Sequence, residues 1–239
     1  MENDLNLTQH ISHRFNEELE DVRTKVLTMG GLVEDQVSNG VKAIIKSDID
    51  LGAKVAKRDY KVNAMEVDLD EQCVQILARR QPTASDLRLV VAVTKTITDL
   101  ERIGDQAEKL GKLSIKLASQ GVPHEHFEDL GHIGKLVQKI LHGTLDAFAR
   151  LDVDDALEII ALDEQVDQEF EALSRQLITY MMEDPRQIKA ALRISWCARA
   201  LERIGDHCTN ICEYILYLVE GKDVRHITLE EKQEILSQE

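Results

Sequence analysis

Apolar residues recur every three or four positions from Leu7 through Ile11, Phe15, Leu19, Val22, Val26, Met29, Val33, Val37 and Val41 to Ile44. This spacing lines one stripe of a helix and predicts a long first helix, with Gly30 and Gly31 as an interruption midway. A turn at Ser47 and Asp48 leads to a second helix that turns Leu51, Val55, Val62, Leu69, Cys73 and Ile76 inward and stops before Pro82. Residues 83–86, Thr83 to Asp86, have the form of a capping box that opens a third helix through Leu117. The stretch SQGVPHEH at 119–126 has no helical period and reads as a linker. The pattern then restarts with Leu130, Ile133, Val137, Ile140, Thr144 and Phe148, a turn near Asp152, a fifth helix from Leu157 to Met181 before Pro185, and a sixth from Ile188 to Val219.

The restart is a duplication. A shift of 104 positions lays Met29 on Ile133, Gly30 on Gly134, Val33 on Val137, Val37 on Leu141 and Ile44 on Phe148. It also lays Asp48, Asp50 and Asp59 on Asp152, Asp154 and Asp163, so turns repeat along with helices. The string LERIGD occurs at 100–105 and 201–206, an offset of 101, which leaves the second copy three residues shorter between these points. Three amphipathic helices joined by short connections close around one core. The expected fold is therefore all-α: a tandem duplication of a three-helix antiparallel bundle, six helices in all, related by a pseudo-two-fold. The expected organisation is a first bundle over 1–118, a linker at 119–127, a second bundle over 128–220 and a tail at 221–239.

Composition agrees with this and excludes several classes of function. With 43% hydrophobic residues, 31% charged residues and only three prolines, the chain reads as ordered and helical. No uncharged apolar run is long enough to span a bilayer, and MENDLNLTQH at the start lacks the basic and apolar regions of a secretory signal, so a cytoplasmic protein is expected. A net charge of −15 opposes a phosphate backbone and argues against nucleic acid as a partner; cations and basic partners fit better. Cys73, Cys197, Cys208 and Cys212 are expected to be buried thiols, because zinc would need a second matched pair. All eight histidines are read as core or surface residues; His207 points about 100° away from the neighbouring Asp206 on a helix. No glycine-rich nucleotide loop, GxSxG or HExxH string is present, so nucleotide and common hydrolase chemistry lack support.

Carboxylates occupy positions where the stripes call for apolar residues. Asp59 falls between Val55 and Val62, and Asp163 and Asp167 fall one turn apart between Ile160 and Phe170. Glu101 and Asp105 flank the third stripe at i and i+4, and Glu202 and Asp206 repeat them in the sixth. One isolated ExxxD is ordinary surface pairing with Arg102, Arg203 or a lysine. Repetition at equivalent positions instead points to carboxylates from two helices converging on one seam, where a cation would offset their desolvation and repulsion. An all-oxygen set favours a hard, oxygen-seeking divalent or trivalent ion, and Fe, Mn, Mg, Ca and Zn are not distinguished. A di-iron oxidase is disfavoured, since neither LERIGD helix carries the Glu-x-x-His pair. Gly104 and Gly205 each cost a helix interior about 1 kcal/mol and so imply close approach of another helix or a ligand.

Two LERIGD strings about one hundred residues apart, QPTASDLR at 81–88, the paired helical triplets and the tail GKDVRH at 221–226 resemble the PhoU family over nearly the whole chain. The resemblance implies two three-helix bundles that bind metal clusters through E(D)xxxD motifs. It implies a cytoplasmic negative regulator of the bacterial phosphate-starvation response and of high-affinity phosphate uptake, peripherally associated with inner-membrane complexes. The implied partners are the ATPase subunit of the phosphate ABC transporter and a sensor histidine kinase, with a homodimer as the assembly. Residue by residue, the motif falls on Glu101 and Asp105, on Glu202 and Asp206, and on Asp163 and Asp167. The remaining copy departs from it: Asp59 is followed at the fourth position by Asn63, and Lys109 stands where the second copy has Asn210. The second bundle is therefore expected to hold metal more tightly. An adaptor without catalysis is the leading reading. A carboxylate-metal enzyme would need a general acid or base that nothing here nominates, and a purely structural scaffold would tolerate loss of the acids.

Overall fold

The computed structural model describes residues 13–118, 124–225 and 227–232. The expected helix start at Leu7 and Ile11, and residues 119–123 of the expected linker, lie outside them. Among the described residues seven α-helices follow in order: α1 His13–Ile45, α2 Ile49–Arg58, α3 Tyr60–Arg80, α4 Ala84–Ala118, α5 His124–Arg150, α6 Val153–Glu183 and α7 Ile188–Glu220, with a 3-10 turn Pro185–Gln187 before α7. No strand occurs among the described residues. α1, α2–α3 and α4 pack as one three-helix bundle, and α5, α6 and α7 as its twin. None of these helices is long and apolar enough to cross a membrane.

The first turn of each bundle is built the same way. Ser47 and Leu151 take left-handed backbones, φ 52° and 53°. The next residue donates its N–H back across the turn, Asp48 to the Ala43 carbonyl at 2.9 Å and Asp152 to the Ala147 carbonyl at 3.0 Å. Each aspartate then caps the following helix: Asp48 Oδ1 accepts from Leu51 N at 2.9 Å, and Asp152 Oδ1 from Asp155 N at 3.1 Å. Such caps satisfy orphan backbone groups and contribute about 1 kcal/mol each, which explains why these aspartates recur in both copies.

Three expectations are corrected. Six helices become seven, because the second is interrupted at Asp59, while the equivalent Asp163 lies inside an unbroken α6. The interruption coincides with a closer crossing: a Cβ on Gly111 of α4 would stand 2.7 Å from the Gly52 carbonyl of α2. In the second bundle Ala156 and Cys212 occupy these places and hold the backbones apart with buried side chains. The linker is shorter than 119–127, since α5 begins at His124; a proline is tolerated at a helix start, so Pro123 suits either reading. Gly30 and Gly31 do not interrupt α1, which continues through both.

Gly30 serves the contact between the bundles. A Cβ there would strike Leu145, and a Cβ on Gly134 would strike Val41. Shifting each pair by 104 exchanges one for the other, so α1 and α5 meet through a reciprocal pseudo-two-fold seam. α4 packs on α7 alongside it, and the buried apolar residues form one continuous core from Phe15 to Val224. At α4–α7 the symmetry fails. Asp99 Oδ1 lies 2.7 Å from His207 Nδ1 and accepts from Asn210 Nδ2 at 3.1 Å, whereas the places equivalent to Asp99 and His207 hold Ala200 and Gln106. Lys95 sits over the Tyr214 and Tyr217 rings, 5.3 and 5.6 Å from their centroids. The tail returns onto the same end of α7, where Lys232 Nζ donates to Glu213 Oε1 at 2.7 Å. All four cysteines are buried free thiols, and burial pushes the Cys212 thiol up to about 12.

Candidate functional site

Each LERIGD glycine lies under an aspartate of the facing helix. A Cβ on Gly205 would collide with the Asp163 carboxylate, and one on Gly104 would stand 3.3 Å from Asp59 Oδ1. Glycine thus lets the acid rest against the helix surface between the two motif carboxylates, at i−3 and i+1. The close approach read from the sequence is that of a carboxylate-bearing helix.

In the second bundle Asp163 is 9% exposed. Its Oδ2 accepts from Thr209 Oγ1 at 3.0 Å, and its Oδ1 has no partner. Burial raises its carboxyl to about 7, against the lowering effect of the Thr209 bond, with the Asp167, Asp206 and Glu202 charges pushing in the same direction. Glu202, 8% exposed, accepts from Arg199 Nη1 at 2.7 Å through Oε1 and leaves Oε2 without a partner. Burial and then the Asp206 charge hold Glu202 above its ordinary range, and burial and Asp206 do the same for the exposed Asp167. Arg203 stands 3.7 Å from Asp206.

The first bundle repeats the arrangement with other neighbours. Asp59, 8% exposed, accepts from Asn63 Nδ2 at 3.0 Å through Oδ2, and Oδ1 again has no partner. Burial raises its carboxyl; the Asn63 bond opposes this, Asp105 and Glu108 add to it, and Lys112 relieves it. Glu101 is raised by burial and then by Asp105, Glu66 and Asp59. The structure thus brings Asp59, Glu101 and Asp105 together in one bundle and Asp163, Asp167, Glu202 and Asp206 in the other.

Lys109 does not join the first cluster. It is exposed, and its charge is felt at Cys197. The cation whose charge reaches Asp59 is Lys112, eight residues beyond Gly104 on α4 and paired with Glu108 at 2.5 Å. Asn210 likewise faces Asp99 rather than the acids. Glu66 is the acid that sequence comparison passed over: it follows Asp59 by seven residues and shares its face, but its counterpart in the second copy is Phe170, so the repeat gave no hint of it.

The donor set fits a hard cation. All its charged groups are carboxylates, and the equivalent Oδ1 atoms of Asp59 and Asp163, together with Glu202 Oε2, are buried oxygens with no hydrogen bond. Such atoms carry a desolvation penalty that coordination would relieve. Among the described residues no three Asp, Glu, His or Cys side chains yet converge on one point, so chelation requires side-chain rotation. Asp105 and Asp167 are exposed and free to make it.

The family model for the PhoU domain matches residues 26–113 and, a second time, 130–215. The chain is 52% identical to the phosphate-specific transport system accessory protein PhoU homolog of Pseudomonas aeruginosa, over 93% of this chain and 92% of that one. It is 50% identical to the phosphate-specific transport system accessory protein PhoU of Escherichia coli, over 98% and 96% of the two chains. Among solved structures, PhoU from P. aeruginosa matches with a TM-score of 0.85 at 51% identity, covering 87% of this chain and 100% of that one. The phosphate transport system regulatory protein PhoU from Streptococcus pneumoniae matches with a TM-score of 0.82 at 30% identity, covering 88% and 99%.

Proposed function

The chain belongs to the PhoU family, and from that premise we propose that it is a non-enzymatic accessory protein of phosphate-specific transport and a negative regulator of the phosphate-starvation response. The observation that carries this reading is similarity at half identity or better across more than nine-tenths of proteins named as phosphate transport accessories. In this reading the protein works on the cytoplasmic face as an adaptor, as a homodimer, between the ATPase subunit of the phosphate ABC transporter and a sensor histidine kinase. The absence of a membrane-spanning helix among the described residues is compatible with peripheral docking.

Metal belongs to the same proposal. Asp59, Glu101 and Asp105 would hold one ion or cluster, and Asp163, Asp167, Glu202 and Asp206 the other. A hard cation would supply charge neutralisation, drawing carboxylates of facing helices together across Gly104 and Gly205. Each bundle would then present a fixed helical surface to its partners. Deletion of the gene tests the regulatory reading: phosphatase expression in high phosphate should become constitutive and return to repression on complementation. Unchanged expression would overturn it.

A further inference from the structure

We propose that Glu66, outside the repeated motif, is a carboxylate ligand of the first-bundle cation site and restores the charge that Asn63 withholds. This rests on the metal reading above. Asp59, at the N-terminal boundary of α3, and Asn63 and Glu66 within it stand at i, i+4 and i+7, along one face. That face lies over α4: Asp59 and Val62 meet Gly104, and Glu66, further along, lines a groove with Ile97 and Thr98. Glu101 lies between these two levels of α4, one turn beyond Ile97 and three residues before Gly104. Its carboxylate is in the field of Asp105, Glu66 and Asp59, and Glu66 is in the field of Asp70, of the opposing Arg102 and then of Asp105. The buried, unpartnered Oδ1 of Asp59 is presented at Gly104, inside this set.

The second copy shows what was exchanged. The counterparts of Glu66 and Thr98 are Phe170 and Arg199. Arg199 lies over the Phe170 ring, 5.6 Å from its centroid, and donates to Glu202 at 2.7 Å. Where the second bundle places an aromatic and an arginine beside its motif glutamate, the first places an acid and a threonine. On this reading each bundle offers an ion four carboxylates: Asp59, Glu66, Glu101 and Asp105 in one, Asp163, Asp167, Glu202 and Asp206 in the other. In the second, an incoming ion must compete with Arg199 for Glu202. The first has no arginine at that place. The expectation that Asn63 makes the first site the weaker one is replaced by a site of equal acid count, displaced along the α3–α4 groove.

The test is Mn²⁺ titration of the full-length protein, by calorimetry and by the spectroscopic signal of free Mn²⁺. A background variant, Asp163→Asn/Asp167→Asn, isolates the first site. In that background Glu66→Gln should weaken Mn²⁺ at least about tenfold, whereas Asp68→Asn, an exposed acid on the same helix, should change it by less than about twofold. Thermal unfolding followed by circular dichroism verifies that the variants are folded. Equal effects of the two substitutions would overturn the role of Glu66 and leave the metal reading standing. Loss of all Mn²⁺ from the background variant while the parent still binds would also overturn it. A parent that takes up no Mn²⁺ would overturn the metal reading and this inference together.

Discussion

The two bundles agree at their first turn and differ where they gather charge. Ser47 and Leu151 share a backbone conformation, and Asp48 and Asp152 share a cap. Around the acids the neighbours have been exchanged: Asn63 and Glu66 stand against Asp167 and Phe170, and Thr98 against Arg199. A turn has few chemical solutions, because a left-handed residue followed by a side-chain acceptor is dictated by local geometry. A charged seam has many, because it depends on the summed field of several groups. Duplication preserved the first and let the second drift through compensating changes.

The sharpest break in this comparison should come from Asp163. Its folded carboxyl sits near 7 against an ordinary 3.8, so the folded state holds a proton that the unfolded chain has lost. The contribution of Asp163 to the stability of the metal-free protein is full below about pH 4 and falls as pH rises toward 7, by up to about 4 kcal/mol. Asp163→Asn removes that loss. Urea denaturation with a chelator should show the variant more stable than the parent at pH 8 and little changed at pH 4. Asp59→Asn should gain less, since the Asn63 hydrogen bond and then Lys112 already relieve the buried Asp59.

Next in size is the helix crossing. Gly111→Cys copies the second bundle into the first and drives a side chain into the Gly52 backbone, at an expected cost of about 3 kcal/mol. Cys212→Ala in the second bundle should cost about 1 kcal/mol, as a small deletion at a buried site. Equal denaturation midpoints for the two variants would show that the bundles are spaced alike.

The asymmetric contact between bundles is third. Asp99→Ala strands His207 and the Asn210 amide, both of which bond to Asp99, and should cost about 2 kcal/mol. Restoring the symmetry with Asp99→Ala/His207→Gln should recover part of it, and a double-mutant cycle measures the coupling. The smallest difference is expected at the symmetric seam. Gly30→Ala and Gly134→Ala meet Leu145 and Val41 in equivalent poses, and their unfolding free energies should agree within about 1 kcal/mol, with Gly134→Ala the costlier because β-branched Val41 yields less readily. A larger gap would mean that the seam is not a true pseudo-two-fold.

Much of this architecture was legible in the chain. Periodicity located the helices to within a few residues, and the shift of 104 identified paired turns as well as paired stripes. The LERIGD glycines announced a close approach, because glycine in a helix interior is unfavourable without one. The repeat does not mark Glu66, because the second copy has Phe170 in its place. Lys109 shows that nearness in sequence to the motif does not by itself give the face: a step of five residues from Gly104 turns about 140° away, while the eight to Lys112 turn only about 80°.

The sequence by itself determined the helices, which follow from spacings shorter than two or three turns, and the duplication, which follows from the recurrence of those spacings at a shift of 104. Only the tertiary structure decided which acids share a field, that Asp99 meets His207 across 108 positions, and that Gly30 answers Leu145 while Gly134 answers Val41. The physical reason is range. Helix periodicity and capping are written in near neighbours, whereas electrostatic fields and van der Waals contacts act between whatever packing brings close, and packing here joins two copies through surfaces that neither copy encodes alone.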